Sequence, residues 1–149
     1  MTKLVLGSPE WLEAYRTIIR NAAAGQDLST SAFGMHETLK NVPAHLRQGG
    51  DADLLFGFRI VDGQLQFPDR AWEDADFKLV ADFESIAPWG DLPTKETREL
   101  GVFERLAKAG KLRFSGSLSG APEWLHKLNL HDRLAEITAP YEASPSWDG

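Results

Sequence analysis

Residues 54–67 read Leu54-Leu55-Phe56-Gly57-Phe58-Arg59-Ile60-Val61-Asp62-Gly63-Gln64-Leu65-Gln66-Phe67, and this stretch decides the fold. From Leu54 to Ile60 the residues at even positions are large and apolar, and they share one side of an extended chain because successive strand side chains point to opposite faces. Asp62-Gly63 then supplies the positive φ angles that a two-residue hairpin turn requires. The stretch therefore predicts a β-hairpin, with strands at 54–60 and 65–67 and one apolar face.

Two later segments alternate in the same way, at residues 77–83 and 112–118. In the first, Phe, Leu, Ala and Phe alternate with mostly polar residues, and in the second, Leu112, Phe114 and Leu118 alternate with Lys, Arg and Ser. This pattern is typical of antiparallel strands with one face packed against the core and the other face exposed to solvent. We predict that both segments are strands of one sheet.

Residues 32–42 fit two patterns. Phe33, Met35 and Leu39 alternate as on a strand, whereas Met35, Leu39 and Val42 also fit one face of a helix. Nothing local decides between the two. We interpret the segment as a strand.

Four regions carry helical signals. Residues 8–25 begin with Ser-Pro-Glu, which suits a helix N-terminus, and end at a glycine. Residues 95–109 carry an apolar stripe and predict one helix that covers the sheet. Residues 122–125 open a further helix, and the apolar spacing of residues 130–137 stops before Pro140.

Length, composition and charge limit the classes of protein to which the chain can belong. The chain has 149 residues, 42% hydrophobic and 26% charged, which predicts a single α+β domain at 1–140 followed by a C-terminal tail at 141–149. A net charge of -6 without a basic run disfavours nucleic acid as a partner. The absence of cysteine excludes disulfides and thiolate sites, and no stretch approaches the roughly 20 apolar residues of a transmembrane segment. A cytoplasmic location is the expectation.

Motifs for nucleotide binding and serine hydrolysis do not occur. Residues 116–120 read Gly-Ser-Leu-Ser-Gly, with Leu118 where a nucleophile elbow would have serine. Among the four histidines, His126 and His131 are five residues apart and do not share a helix face. We interpret the histidines as surface residues and predict no metal and no cofactor.

Glu37 is the candidate for acid–base chemistry, with His36 beside it. If residues 32–42 form a strand, Glu37 shares its side with apolar residues and faces an apolar cavity. Loss of hydration would then raise the pKa of Glu37 toward a value that suits a general acid or base. At a sheet edge or on a helix, the carboxyl group would instead stay in water.

The order of these elements resembles the sterol-carrier-protein type-two lipid-transfer family. A Phe-rich strand, the Asp62-Gly63 turn, a second strand, the strand at 75–82 and a helical stretch precede Gly110-Lys111-Leu112 and Gly116, which match the family's closing element. The similarity covers about residues 54–128, and the first third of the chain only loosely. It implies a five-stranded, mainly antiparallel sheet that helices cover on one face, enclosing a hydrophobic tunnel for sterols, fatty acids or acyl-CoA esters.

The resemblance carries over apolar positions rather than catalytic residues. The ligand-binding positions that it implies are Phe56, Phe58, Ile60, Leu79, Phe83, Val102, Phe103, Leu106, Phe114 and Leu118. We add Met35 and Trp89, because the shape of an apolar pocket would depend on them. Trp89 follows Pro88 in a loop-like turn, where it would either gate the mouth of the pocket or cap the core.

Three hypotheses about function follow. The first is binding or transport of a hydrophobic small molecule: lipid-like, acyl or polycyclic. The second is a metal-free, cofactor-independent isomerase, dehydratase or cyclase that uses Glu37 or His36 in the same cavity. The third is that the apolar face is simply a packed core and that the domain works as a dimerisation or interaction module, with a homodimer among the expected assemblies. The chain ends at residues 146–149 without the Ser-Lys-Leu peroxisomal address, so the resemblance favours a bacterial-type cytoplasmic member.

Overall fold

A five-stranded sheet forms the centre of the fold in the computed structural model, which describes residues 3–30, 32–47 and 52–141. The strands are β1 (Phe33–Lys40), β2 (Leu54–Val61), β3 (Gln64–Gln66), β4 (Phe77–Asp82) and β5 (Leu112–Gly116). Their order is β3-β2-β1-β4-β5, and the sheet is open. The β1–β4 pair is parallel and the other three pairs are antiparallel, which confirms the predicted mainly antiparallel sheet.

The predicted hairpin is confirmed. Asp62 and Gly63 have φ angles of 53° and 74°, the left-handed values of a tight hairpin turn. The two strands pair with Ile60 opposite Leu65. This turn fixes which residues of β2 face the helices, because a shift of one residue would move every side chain to the other face.

Residues 33–40 form the central strand β1, as the strand interpretation of 32–42 predicted. Paired on both sides, β1 has Met35 opposite Phe58 of β2 and Phe77 of β4. Strand periodicity places Glu37 on the same face as Met35 and Leu39. The apolar residues of this segment therefore follow the alternating spacing of a strand, and not the helical spacing that they also fit.

Helices cover one face of the sheet. They are α1 (Pro9–Ala23), α2 (Phe83–Ile86), α3 (Thr94–Leu100), α4 (Val102–Lys108), α5 (Glu123–Leu128) and α6 (Leu130–Ile137). Helix α1 begins as predicted, since the Ser8 hydroxyl accepts a hydrogen bond of 3.2 Å from the backbone N–H of Trp11. The rings of Trp11 and Tyr15 meet Phe56 edge to face, with centroids 5.1 and 5.2 Å apart, and so attach α1 to the sheet.

The single helix predicted at 95–109 is wrong, because two helices occupy the segment. Gly101 lies between α3 and α4 with φ of 64°, a left-handed conformation that ends α3. Its N–H bonds back to the carbonyl of Arg98 at 3.1 Å. The break changes the direction of the chain, and Val102 and Leu106 of α4 still reach the core.

Three predicted strands end earlier than expected, and β3 does so by one residue, at Gln66. Strand β4 stops at Asp82, whose carboxylate accepts a hydrogen bond from the Ser85 N–H at 3.2 Å and so caps α2, which begins at Phe83. Strand β5 stops at Gly116, and Leu118 lies in the turn beyond it. Phe83 and Leu118 therefore belong to a helix start and a loop rather than to strands.

None of the helices within the described ranges combines the length and the apolar character needed to cross a bilayer. Of the predicted tail at 141–149, only Tyr141 is described, and its hydroxyl donates a hydrogen bond to Glu84 at 2.5 Å. Residues 142–149 and the loop residues 48–51 lie outside the described part of the chain. The division into a domain and a tail therefore stays a prediction.

Candidate ligand cavity

An apolar cavity of about 490 Å³ lies between the covered face of the sheet and the helices. Seven of the predicted ligand-binding residues line it: Met35, Phe56, Leu79, Trp89, Phe103, Phe114 and Leu118. The other five are not among its lining residues and lie in the core: Phe58, Ile60, Phe83, Val102 and Leu106. One face of the sheet thus supplies both packed core and cavity wall.

The register of the three inner strands builds the deep wall of the cavity. Glu37 of β1 lies opposite Phe56 of β2 and Leu79 of β4, so apolar side chains flank its carboxyl group on both sides. Trp11 of α1 also lines this wall, and its indole N–H donates a hydrogen bond of 2.9 Å to the Thr138 hydroxyl. That bond satisfies the polar atom of a buried aromatic ring and fixes the orientation of the ring.

Exposure of the lining residues increases toward β5 and the α5–α6 turn. Phe114 and Leu118 are 51% and 41% exposed, and His126 and Asn129 are exposed as well. The lining residues on β1 and β2 are largely shielded from solvent, and Phe56 is only 6% exposed. We infer that the cavity opens beside Phe114 and Leu118.

Trp89 belongs to the wall of the cavity. It ends the short 3-10 turn Ala87–Trp89 that follows α2, and it is only 8% exposed. A gating residue would lie at the exposed rim, where Phe114 and Leu118 are found. The placement of Trp89 favours a fixed wall over a gate.

Glu37 borders the cavity without a hydrogen-bonding partner among the described residues. Its carboxyl group makes no hydrogen bond or ion pair with any residue in the described ranges. Burial raises the pKa of Glu37 to about 7, because the carboxylate loses hydration. Burial, and then the charge of Glu37, raises the pKa of the Tyr15 hydroxyl well above its usual value.

His36 projects from the opposite face of the sheet. It is 3% exposed, so the interpretation of the histidines as surface residues is wrong for His36. Its Nε2 lies 3.1 Å from the carbonyl oxygen of Trp72, whose ring stands edge-on to the imidazole. His36 is not among the residues that line the cavity. Of the two predicted acid–base residues, Glu37 borders the cavity and His36 does not.

Comparison with known proteins gives matches of fold only. No protein-family model matches the chain, and no curated protein matches it in sequence. A solved structure described as "UbiJ-SCP2 Ubiquinone synthesis protein" is 12% identical, with a TM-score of 0.40 over 85% of this chain and 92% of that one. A conserved hypothetical protein from Thermus thermophilus, described as possibly a sterol carrier protein, is 15% identical, with a TM-score of 0.44 over 96% and 97%.

The structure adds lining residues that sequence analysis did not select. Trp11, Leu125, His126 and His131 all border the cavity. His131 is held in place, because its Nε2 lies 2.9 Å from the carbonyl oxygen of Leu92. The apolar stripe of α1 could have indicated Trp11, whereas nothing in the spacing of the histidines indicates that both reach one cavity.

Metal ligands do not cluster here. Across the described residues, no three side chains of His, Asp or Glu come together as a group that could hold a metal ion. The polar groups of the lining are isolated carboxyl, imidazole, amide and hydroxyl groups. Their arrangement suits hydrogen bonding to an organic ligand.

Proposed function

We propose that this protein reversibly binds a hydrophobic small molecule in the cavity between the sheet and its helices. The observation that carries the proposal is the cavity itself, about 490 Å³ with a wall of aromatic and aliphatic side chains. Pockets for small organic ligands typically measure about 300 to 1,000 Å³ and have mostly apolar walls. A packed core, which is the alternative to ligand binding, contains few voids larger than a water molecule.

Burial of apolar area would drive binding. Each methylene that leaves water contributes about 0.8 kcal/mol, so about fifteen of them contribute about 12 kcal/mol. Association costs at least about 4 kcal/mol in lost translational and rotational freedom. The difference corresponds to a Kd of about 1 μM, so a long acyl chain or a ring system of similar area is the expected ligand class.

The exposed apolar residues at the opening support exchange of the ligand. Phe114 and Leu118 offer an apolar contact to a molecule that enters or leaves. A carrier needs such a route, because a fully enclosed ligand could leave only after local unfolding. Transfer between partners is therefore part of the proposal.

Displacement of a pyrene-labelled fatty acid from delipidated protein tests the proposal. We expect acyl, sterol or aromatic competitors to displace the probe, and native mass spectrometry of gently purified protein to show a bound molecule. The Leu79→Trp variant, which fills the deep wall, should lose probe binding at least about tenfold, whereas Leu100→Trp, at an exposed position outside the cavity, should bind normally. Absence of binding across all three classes of competitor and the probe would refute the proposal.

A second candidate function is acid–base catalysis on a hydrophobic metabolite, because Glu37 stands in the cavity with a pKa of about 7. A carboxyl group with a pKa near the working pH can both donate and accept a proton. The Glu37→Gln variant would then bind substrate and fail to convert it. Unchanged conversion by that variant would exclude Glu37 as the catalytic group.

A further inference from the structure

Glu37 is an ionisable group in an otherwise apolar part of the cavity. Along β1 its neighbours on the same face are Met35 and Leu39, and across the sheet they are Phe56 and Leu79. The described residues provide no hydrogen-bond donor for its carboxyl group. The carboxyl group therefore faces the cavity without a hydrogen-bonding partner among the described residues, although the Tyr15 hydroxyl is close enough for the charge of Glu37 to raise its pKa.

A carboxyl group in such surroundings destabilises the folded protein unless a donor forms a hydrogen bond with it, since a buried acceptor without a hydrogen bond costs free energy. Water can donate to the carboxyl group while the cavity holds no ligand, and an apolar ligand that displaces the water leaves the group without a donor. A ligand with its own donor restores the bond.

Resting on the proposed function, we propose that the cavity selects amphipathic ligands with a hydroxyl group, which donates a hydrogen bond to Glu37 at the deep wall. The apolar body of such a ligand then extends toward Phe114 and Leu118 at the opening. A ligand carboxylate in the same position is repelled by the charge of Glu37. The selected chemical class is thus long-chain or polycyclic alcohols, and not fatty-acid anions bound head first.

Other polar groups of the lining do not compete for this role. His126 and Asn129 are exposed near the opening, and His131 has its Nε2 beside the Leu92 carbonyl oxygen. A headgroup held there would leave the alkyl chain against Glu37. Only the orientation with the hydroxyl group inward satisfies both the carboxyl group and the apolar wall.

Two matched probes isolate the hydrogen bond: decan-1-ol and its methyl ether, which has the same chain and cannot donate. At about pH 8, we expect the wild-type protein to bind the alcohol at least about tenfold more tightly than the ether, measured by displacement of the pyrene-labelled probe. Glu37→Leu should reduce the ratio to near one, mainly by binding the ether better. Glu37→Gln, which keeps an acceptor, should retain part of the preference.

The control is Glu136→Leu, at an exposed position of α6 outside the cavity, which should leave the ratio unchanged. If the ratio of the affinities for the alcohol and the ether is the same in the wild-type, Glu37→Leu and Glu37→Gln proteins, Glu37 does not accept a hydrogen bond from the ligand. The proposed binding of a hydrophobic ligand would be unaffected by that result. Failure of both probes to bind any of these proteins overturns the proposed function as well. The two failures are therefore distinguishable.

Discussion

The Glu37→Gln variant should gain stability over the wild-type protein as the pH rises from about 5 to about 8. The pKa of Glu37 is about 7 in the folded protein and 4.5 as its ordinary value, so folding favours the protonated form. The stabilisation that the folded protein gains from the raised pKa of Glu37 is fully present below about pH 4.5, and it is lost as the pH rises past 7. Because glutamine does not titrate, the difference in the free energy of unfolding should change by on the order of 3 kcal/mol in favour of the variant.

The measurement is denaturant unfolding of both proteins at several pH values. The other titratable groups that border Glu37 or the cavity are Tyr15, His126 and His131. The two histidines are present in both proteins, and the pKa of Tyr15, raised by burial well above its usual value of 10.0, keeps its hydroxyl protonated from about pH 5 to about pH 8 in both. Glu136→Gln, at an exposed position of α6, is the matched control and should show no such trend. A difference that does not change with pH would contradict the burial of the Glu37 carboxyl group.

Gly57→Ala should destabilise the protein by about 3 kcal/mol or more, which lowers Tm by about 10 °C for a chain of this size. A Cβ atom at Gly57 would lie 2.2 Å from the carbonyl oxygen of Met35 and 2.6 Å from the Cα of His36. Both are backbone atoms of the central strand β1, so β1 and β2 would have to separate. Thermal unfolding followed by circular dichroism measures the effect.

Gly25→Ala separates steric overlap from backbone strain. Gly25 has φ of 79°, and nothing lies within 4 Å of a Cβ atom built there. The substitution should therefore cost only about 1 kcal/mol, the usual strain of a left-handed residue with a side chain. Equal losses for Gly25→Ala and Gly57→Ala would show that the close approach of β1 and β2 is not present.

The sheet could be predicted because its signals are local. Alternation from Leu54 to Ile60 and the Asp62-Gly63 turn together define strand, face and register without reference to the rest of the chain. Residues 32–42 were harder to assign, since their spacing fits a helix as well as a strand. Pairing with strands on both sides decides the matter, and pairing is a property of the tertiary structure.

The helical region was less predictable than the sheet. The apolar stripe of residues 95–109 continues across Gly101, so periodicity alone gave no sign of the break between α3 and α4. Likewise, Phe83 continues the alternation of β4, but the Asp82 side chain caps a helix at that point. Capping and left-handed glycines override periodicity at both positions.

The candidate site was predictable in part. Glu37 was found because an acidic residue within an alternating apolar run must share the face of its neighbours at positions 35 and 39. The division of the apolar residues between core and cavity was not predictable, because Phe56 and Phe58 look alike in sequence. The contribution of His126 and His131 depends on how α5 and α6 pack over the sheet.

Methyl NMR spectra during titration with decan-1-ol test the central claim, that the cavity binds an apolar ligand, most directly. We predict that the methyl signals of Met35, Leu79 and Leu125, which line the cavity, shift and show contacts to the ligand. Signals of Val61 and Leu100, which are exposed outside it, should stay unchanged. Shifts confined to Val61 and Leu100, or no shift at a saturating concentration of ligand, would contradict the claim.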